Sequence, residues 1–220
     1  MLGKIISLFK KRDEKEIERL EEDWFNKKSD VMAAVLGREH DMVLHSIIPY
    51  EIGGALDLYY YPNGIAGTAI ATKEVSPACS KGSSNDAFKK YELVMFTRHL
   101  MSDDDLEADQ GDDISPFKKA MRNISSILNP VARYSSEATL NPKETCEFPE
   151  DFDDIGGKCL IFDNYGEVPV SQEGFGVMAV IEIYKSEMQY AMEQGGEMLL
   201  SKLKAQGHYP YSDLDREPVV

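Results

Sequence analysis

The chain has 220 residues, 42% of them hydrophobic and 29% charged, a balance suited to a packed domain that holds without disulfide staples. Its 39 acidic residues against 24 basic ones give a formal charge of −15. Phosphate backbones demand clustered Lys and Arg, so that charge excludes nucleic acid as an expected partner and favours a basic protein. Cys79, Cys146 and Cys159 are far apart and form no CxxC or Cys/His spacing, which excludes a zinc site and fits reduced thiols in a cytoplasm.

The first twelve residues, MLGKIISLFKKR, are basic and only briefly apolar. They are too short for a secretory or membrane-spanning segment. Lys4 to Arg12 therefore raises one side reading, peripheral attachment to an anionic membrane. From residue 13 to 37 the apolar residues Ile17, Leu20, Trp24, Val31 and Val35 recur at helical spacing. A break is expected at Asn26 to Ser29, with Ser29 as a second N-cap. Val43 to Ile48 reads as a short strand closed by Pro49.

Ala55 to Tyr61 alternates, with Leu56, Leu58 and Tyr60 on one face and Asp57, Tyr59 and Tyr61 on the other. Pro62-Asn63-Gly64 predicts a tight hairpin returning through Ala66 to Lys73. Tyr59 and Tyr61 are candidate partner contacts if their face is open, and core residues if a helix covers it. Tyr91 to His99 is a third strand. The loop from Asp103 to Asp113 carries seven acids and no base, and Asp103, Asp104, Asp105, Asp112 and Asp113 are candidate contacts for a basic partner. Its spacing fails the calcium-loop pattern, since Gln110 and Pro116 fall where Gly and Glu are needed.

Ser115-Pro116 starts a second helix with a buried stripe of Phe117, Met121, Ile124, Ile127 and Leu128, and Pro130 is expected to end or kink it. Asn141 to Asp154 reads as an acidic connector, and Lys158 to Asp163 as a fourth strand. Phe175 to Gly207 reads as a strand passing into one long helix, capped by Ser186 and Gln189 and stopped by Gly207. Met188, Met192 and Met198 are assigned to its packed face, and Gly195-Gly196 to a kink or a close backbone approach. Glu182 is expected at a solvated strand position, and Glu187 at the positive end of the helix dipole.

No GxSxG, P-loop, GxGxxG or HExxH pattern is present, and no cofactor is expected. The catalytic alternative is a small enzyme whose site assembles only in space, from His45, His99 or Cys79 with a carboxylate. The strands ALDLYYYP, GTAIATKEVSP and KYELVMF, the last with Glu92 and Leu93, together with the ending IEIYKSEMQYAMEQGGEMLLSKL, resemble the Suppressor-of-fused domain. Glu74-Val75-Ser76 stands where that family commonly has Gly.

The resemblance implies an α+β fold with a mostly antiparallel sheet and flanking helices over residues 40–207, after a helical segment 1–39 and before a loosely held polar tail 208–220. It also implies a non-catalytic protein-binding module that takes a peptide as an added strand. Bacterial members include immunity proteins that neutralise toxins, so a basic toxin is one implied partner.

Overall fold

The computed structural model describes residues 2–106, 114–165 and 174–220, without the side chains of residues 2–13, 103 and 106. Helix α1 (Leu2–Leu36) precedes strands β1 (Val43–Leu44), β2 (Leu58–Tyr61), β3 (Thr68–Ala71) and β4 (Lys90–Thr97). Helix α2 (Pro116–Glu137), strands β5 (Thr145–Glu147), β6 (Cys159–Asn164) and β7 (Phe175–Ile183), and helices α3 (Lys185–Gln194) and α4 (Gly196–Ala205) follow. The strands form one seven-stranded sheet in the order β1-β2-β3-β4-β7-β6-β5. Every neighbouring pair is antiparallel except β4 and β7, whose parallel register sets Lys90 opposite Phe175.

Both sheet faces are buried, which explains why β2, β4 and β7 carry apolar residues on each side. Tyr60, Ile70, Leu93, Phe162 and Val180 meet the α2 stripe of Phe117, Ile124, Ile127 and Leu128. On the other face Tyr61, Ala71, Phe96, Ile161 and Ile181 meet Met32 and Leu36 of α1, with Leu199 and Leu203 of α4. The layers are therefore helix, sheet, helix.

Several local expectations are corrected. Helix α1 does not break at Asn26 to Ser29: Ser29 Oγ donates to Phe25 O at 2.7 Å, bonding back one turn inside a continuous helix. Ile17 and Leu20 are exposed, and burial begins near Trp24. Strand β1 spans two residues only. The β2–β3 connection runs through residues 62–67, because Tyr61 pairs with Ala69, so Asn63-Gly64 is not a two-residue turn. Gly64 instead lets the end of α1 approach: a Cβ there would lie 1.8 Å from Leu36 O.

Pro130 sits inside α2, where the buried Val131, Ala132 and Ser135 carry the packed face past it. The acidic connector contains β5, a strand too short for alternation to show. The closing helix is two helices. Gly195 (φ 96°) breaks it, and Gly196 packs so closely that a Cβ would lie 1.9 Å from Lys143 O. The break resets the helical phase, leaving Met192 and Met198 exposed while Met188 stays buried. The cap lies two residues earlier than expected, with Tyr184 N donating to Glu187 Oε2 at 2.9 Å.

The polar tail is not loose. Strands β4 and β7 pair only as far as Val94 and Ala179, and residues 211–213 lie in the gap beyond. There Ser212 N donates to Phe96 O (2.9 Å), Thr97 Oγ1 to Asp213 Oδ1 (2.6 Å) and Arg98 N to Asp213 Oδ2 (2.7 Å). Arg216 then grips the buried Glu187 carboxylate with both terminal guanidinium nitrogens, at 2.6 and 2.8 Å.

Candidate functional site

The sheet has two edges. Strand β1 is one, two residues long and followed by exposed Ile47, Ile48 and Ile52. Strand β5 is the other. Its middle residue, Cys146, pairs with Leu160, and bonds to β6 continue on either side from Phe162 N to Glu144 O and from Phe148 N to Lys158 O, both 3.0 Å. Hydrogen-bonding residues alternate along an antiparallel pair, so the amides and carbonyls of Thr145 and Glu147 point away from β6. Strand β5 thus leaves main-chain donors and acceptors facing out of the sheet.

An apolar groove of about 320 Å³ runs beside this edge, between β5 and α2. Val131, Tyr134, Cys146, Phe148 and Phe152 contribute to its walls. Tyr134 and Phe152 are 53% and 45% exposed, so the groove is reachable from outside. Burial pushes the Cys146 thiol up, so it acts here as a small apolar group and not as a nucleophile. Glu147 also lines the groove and is paired with Lys185, while Glu144, Glu150, Asp151 and Asp153 stand exposed in the chain segments flanking β5 and among the described residues form no ion pair. The edge and the groove together have the form of a surface that an extended segment could cover.

The centre of the sheet is closed by buried charge under α1. Glu92, fully buried in β4, accepts from Thr72 Oγ1 (2.6 Å) and Val75 N (3.2 Å) on Oε2. Its Oε1 accepts from Ser76 N (3.1 Å), Ser76 Oγ (2.6 Å) and Lys28 Nζ of α1 (3.0 Å). Trp24 Nε1 donates to Ser76 O at 2.5 Å, so α1 is tied to the segment after β3 at two successive turns. Lys73 reaches Glu39 at 2.5 Å, and Tyr61 OH donates to the same carboxylate at 2.8 Å. Burial pulls the Lys73 amine down, an effect its bond to Glu39 opposes.

Tyr59 and Tyr61 do share a face, but α1 covers it, leaving them 8% and 0% exposed. Lys73 Nζ lies 4.5 Å from the Tyr59 ring centre, and Phe25 of α1 packs 6.2 Å from that ring. A partner reaches neither tyrosine while α1 stays seated. Of the acidic-loop candidates, Asp104 is exposed, while Asp112, Asp113 and the side chain of Asp103 lie outside the described residues. Asp105 is committed locally: burial pushes its carboxyl up, but hydrogen bonds from Ser115 and Ser102 outweigh this and hold it low. Ser115 in turn caps α2, accepting from Lys118 N at 3.1 Å.

Glu182 is buried and paired, not solvated. Lys158 Nζ lies 2.8 Å from Oε1, and Asn123 Nδ2 donates to Oε2 at 2.6 Å. His45 meets Asp57 at 2.7 Å in the loop after β1, His99 N donates to Thr97 Oγ1, and Cys79 N donates to Glu21 of α1 at 2.9 Å. No group of three or more His, Cys, Asp and Glu among the described residues could hold a metal ion. No described helix is long and apolar enough to cross a membrane. Lys4 to Arg12 lie in α1, with their side chains outside the described ones.

Comparisons with protein-family models and with curated proteins find no match. Among solved structures, a chain of the Sufu-Fu complex matches with a TM-score of 0.56 at 13% identity, over 91% of this chain and 92% of that one. Drosophila Suppressor of Fused matches with a TM-score of 0.51 at 14% identity, over 82% of this chain and 45% of the other, so this chain spans under half of that protein's length. The mostly antiparallel sheet with flanking helices and these two matches agree with the resemblance carried by the aromatic strands, Glu92 and the closing strand–helix unit, and the chain has a Suppressor-of-fused-like fold.

Proposed function

We propose that this chain is a non-catalytic protein-binding module, acting in the cytoplasm on a basic protein partner and not on nucleic acid. The observation that carries the reading is the open β5 edge, whose outward main-chain groups offer a peptide a place to extend the sheet. The charge of −15 supports a basic partner, attracted at long range before contact. A solved structure of the same fold is a complex of Sufu with Fu, so this scaffold is compatible with holding a second protein. The acidic loop with Asp103, Asp104, Asp112 and Asp113 contributes to steering, outside the contact itself.

An immunity protein is the sharper form of this reading, with a basic toxin as the partner that is neutralised by direct binding. The test is titration of the purified chain with a toxin encoded beside it, at several salt concentrations. Binding should weaken as salt rises, and co-expression should protect cells. A toxin that neither binds nor is neutralised overturns the immunity form. Failure to bind any basic protein overturns the module itself.

A further inference from the structure

Helix α1 stands off the body as far as Leu20. It runs from Leu2 to Leu36, yet every residue from Glu14 to Leu20 is exposed. A helical stretch with no packed face is marginal in water, because most helical stability comes from burying an apolar stripe. The sequence supplies such a stripe. By their spacing, Leu2, Ile6, Phe9, Ile17, Leu20 and Trp24 fall on one side of a helix, with Asp13 at the centre. The steps between these positions, Asp13 included, are four, three, four, four, three and four residues, the same read from either end. The charges divide at the same point. Residues 4–12 hold Lys4, Lys10, Lys11 and Arg12 and no acid, whereas residues 13–23 hold seven acids against Lys15 and Arg19.

We infer that this half of α1 pairs with the same half of a second copy of the chain, antiparallel, about a twofold axis at Asp13. A twofold interface uses one patch twice, so the patch must complement itself when reversed. The palindromic stripe does so: Ile6 of one copy meets Leu20 of the other, Phe9 meets Ile17, and Leu2 meets Trp24. The basic segment of each copy then lies along the acidic segment of the other, and the axis sets Lys10 beside Glu14 and Arg12 beside Glu16. A parallel pair would instead stack like charge on like. The body leaves room for the second helix. An open groove of about 600 Å³ borders α1 at Leu20 and Trp24, where the first turn of the other copy arrives. Asp13 is the one polar position in the seam, and a lone polar residue there fixes register at a cost in stability. This pairing does not depend on the β5 edge, so either can fail without the other.

The test is sedimentation equilibrium of the full chain from low micromolar to about 100 μM. The mass should rise to twice the 24.7 kDa of one chain. Leu20→Glu puts a charge in the seam at a position exposed in the single chain, and should weaken the dimer at least about tenfold while the near-UV circular dichroism of the body is kept. Lys10→Glu with Arg12→Glu should weaken it as well, and mixing that variant with one carrying Glu14→Lys and Glu16→Lys should restore a mixed dimer. Direction is read by copper-catalysed disulfide cross-linking after Cys79→Ser removes the exposed thiol. Asp13→Cys should cross-link, because the position meets itself at the axis. Leu20→Cys alone should not, because its two copies stand about 21 Å apart along the helices.

A chain that stays monomeric overturns the proposal, and sedimentation of that monomer with phosphatidylserine vesicles but not with phosphatidylcholine ones would assign the helix to a membrane surface instead. A dimer that Leu20→Glu leaves intact, or one that cross-links through Leu20→Cys alone, overturns the antiparallel seam. Failure of the mixed dimer to form does the same.

Discussion

The centre of the sheet and its β5 edge treat their polar groups in opposite ways. Under α1, the Glu92 carboxylate is surrounded by five donors from two segments, and Lys28 and Glu92 are 3% and 0% exposed. At β5, the main-chain groups of Thr145 and Glu147 face outward beside an apolar groove. The first arrangement fixes a helix on a sheet. A buried charge tolerates few alternative positions, so the seat of α1 is specified by geometry more than by net energy. The second arrangement leaves edge and groove unsatisfied, which costs little while water solvates them and turns favourable when a strand arrives. What the difference teaches is that burial of charge marks a closed region here, and an unpaired edge marks a usable one.

The closed centre should be the most sensitive to change. Glu92→Ala strands Lys28 and removes the acceptor for two amides, and should cost about 3–5 kcal/mol in urea unfolding. A loss below about 1 kcal/mol, the scale of a surface pair, would falsify the buried network as the seat of α1. Arg216→Ala breaks the second buried pair, at the tail. Glu187 keeps the amides of Tyr184 and Val219, so the loss should sit near the low end, about 3 kcal/mol.

The hydrogen bonds from Arg216, Val219 and Tyr184 overcome burial and hold Glu187 below its ordinary 4.5. Its contribution is therefore present above pH 4.5 and lost as the pH falls below it, so the gap between wild type and Arg216→Ala should shrink in acid. A gap that stays constant from pH 7 to the acid limb would show that Arg216 acts by packing alone.

Glu74 lies between the two regimes. Burial, with the nearby carboxylates of Asp57, Glu92 and Glu51, pushes it up to about 7, against the bond it accepts from Asp57 N at 2.7 Å. A carboxyl raised on folding destabilises the fold as the pH climbs from 4.5 through 7. Glu74→Gln should therefore stabilise the chain at pH 8 by about 1–2 kcal/mol, after discounting for partial exposure, and by nothing at pH 4. Equal melting temperatures of variant and wild type at pH 8 would remove Glu74 as a source of strain. Thr145→Pro, at the open end, should change stability by less than about 0.5 kcal/mol. A large loss there would mean that the outward amide of Thr145 already has a partner, and the contrast between centre and edge would collapse.

Much of the framework was legible in the sequence, for a physical reason. Strands β2, β4 and β7 alternate cleanly between two buried faces, and Ser115-Pro116 announces α2 by cap chemistry. What escaped is non-local. Lys28 and Glu92 lie 64 residues apart, and no local pattern marks them as partners. The tail looked loose because its residues are polar, yet Ser212, Asp213 and Arg216 are held by specific bonds to distant strands. The candidate site escaped for the opposite reason. Three residues of β5 inside an acidic connector are too few for any period to register, and a groove is a property of packing. The tyrosines of β2 drew attention because aromatics on a strand face read alike whether a helix or a partner covers them.

The gap beyond Val94 and Ala179 also bears on how the chain reaches this state. Strand β4 takes part of its pairing from β7 and the rest from the tail, with Thr97 bonded to Asp213 across 116 residues. Closing a loop of that length carries an entropy cost of about 4 kcal/mol from its length alone. The central strand therefore completes its neighbours last, and refolding should be slow for a chain of this size. Until the tail arrives, the far half of β4 is a temporary open edge in the middle of the sheet, and crowded chains at that stage are the ones most exposed to pairing with each other.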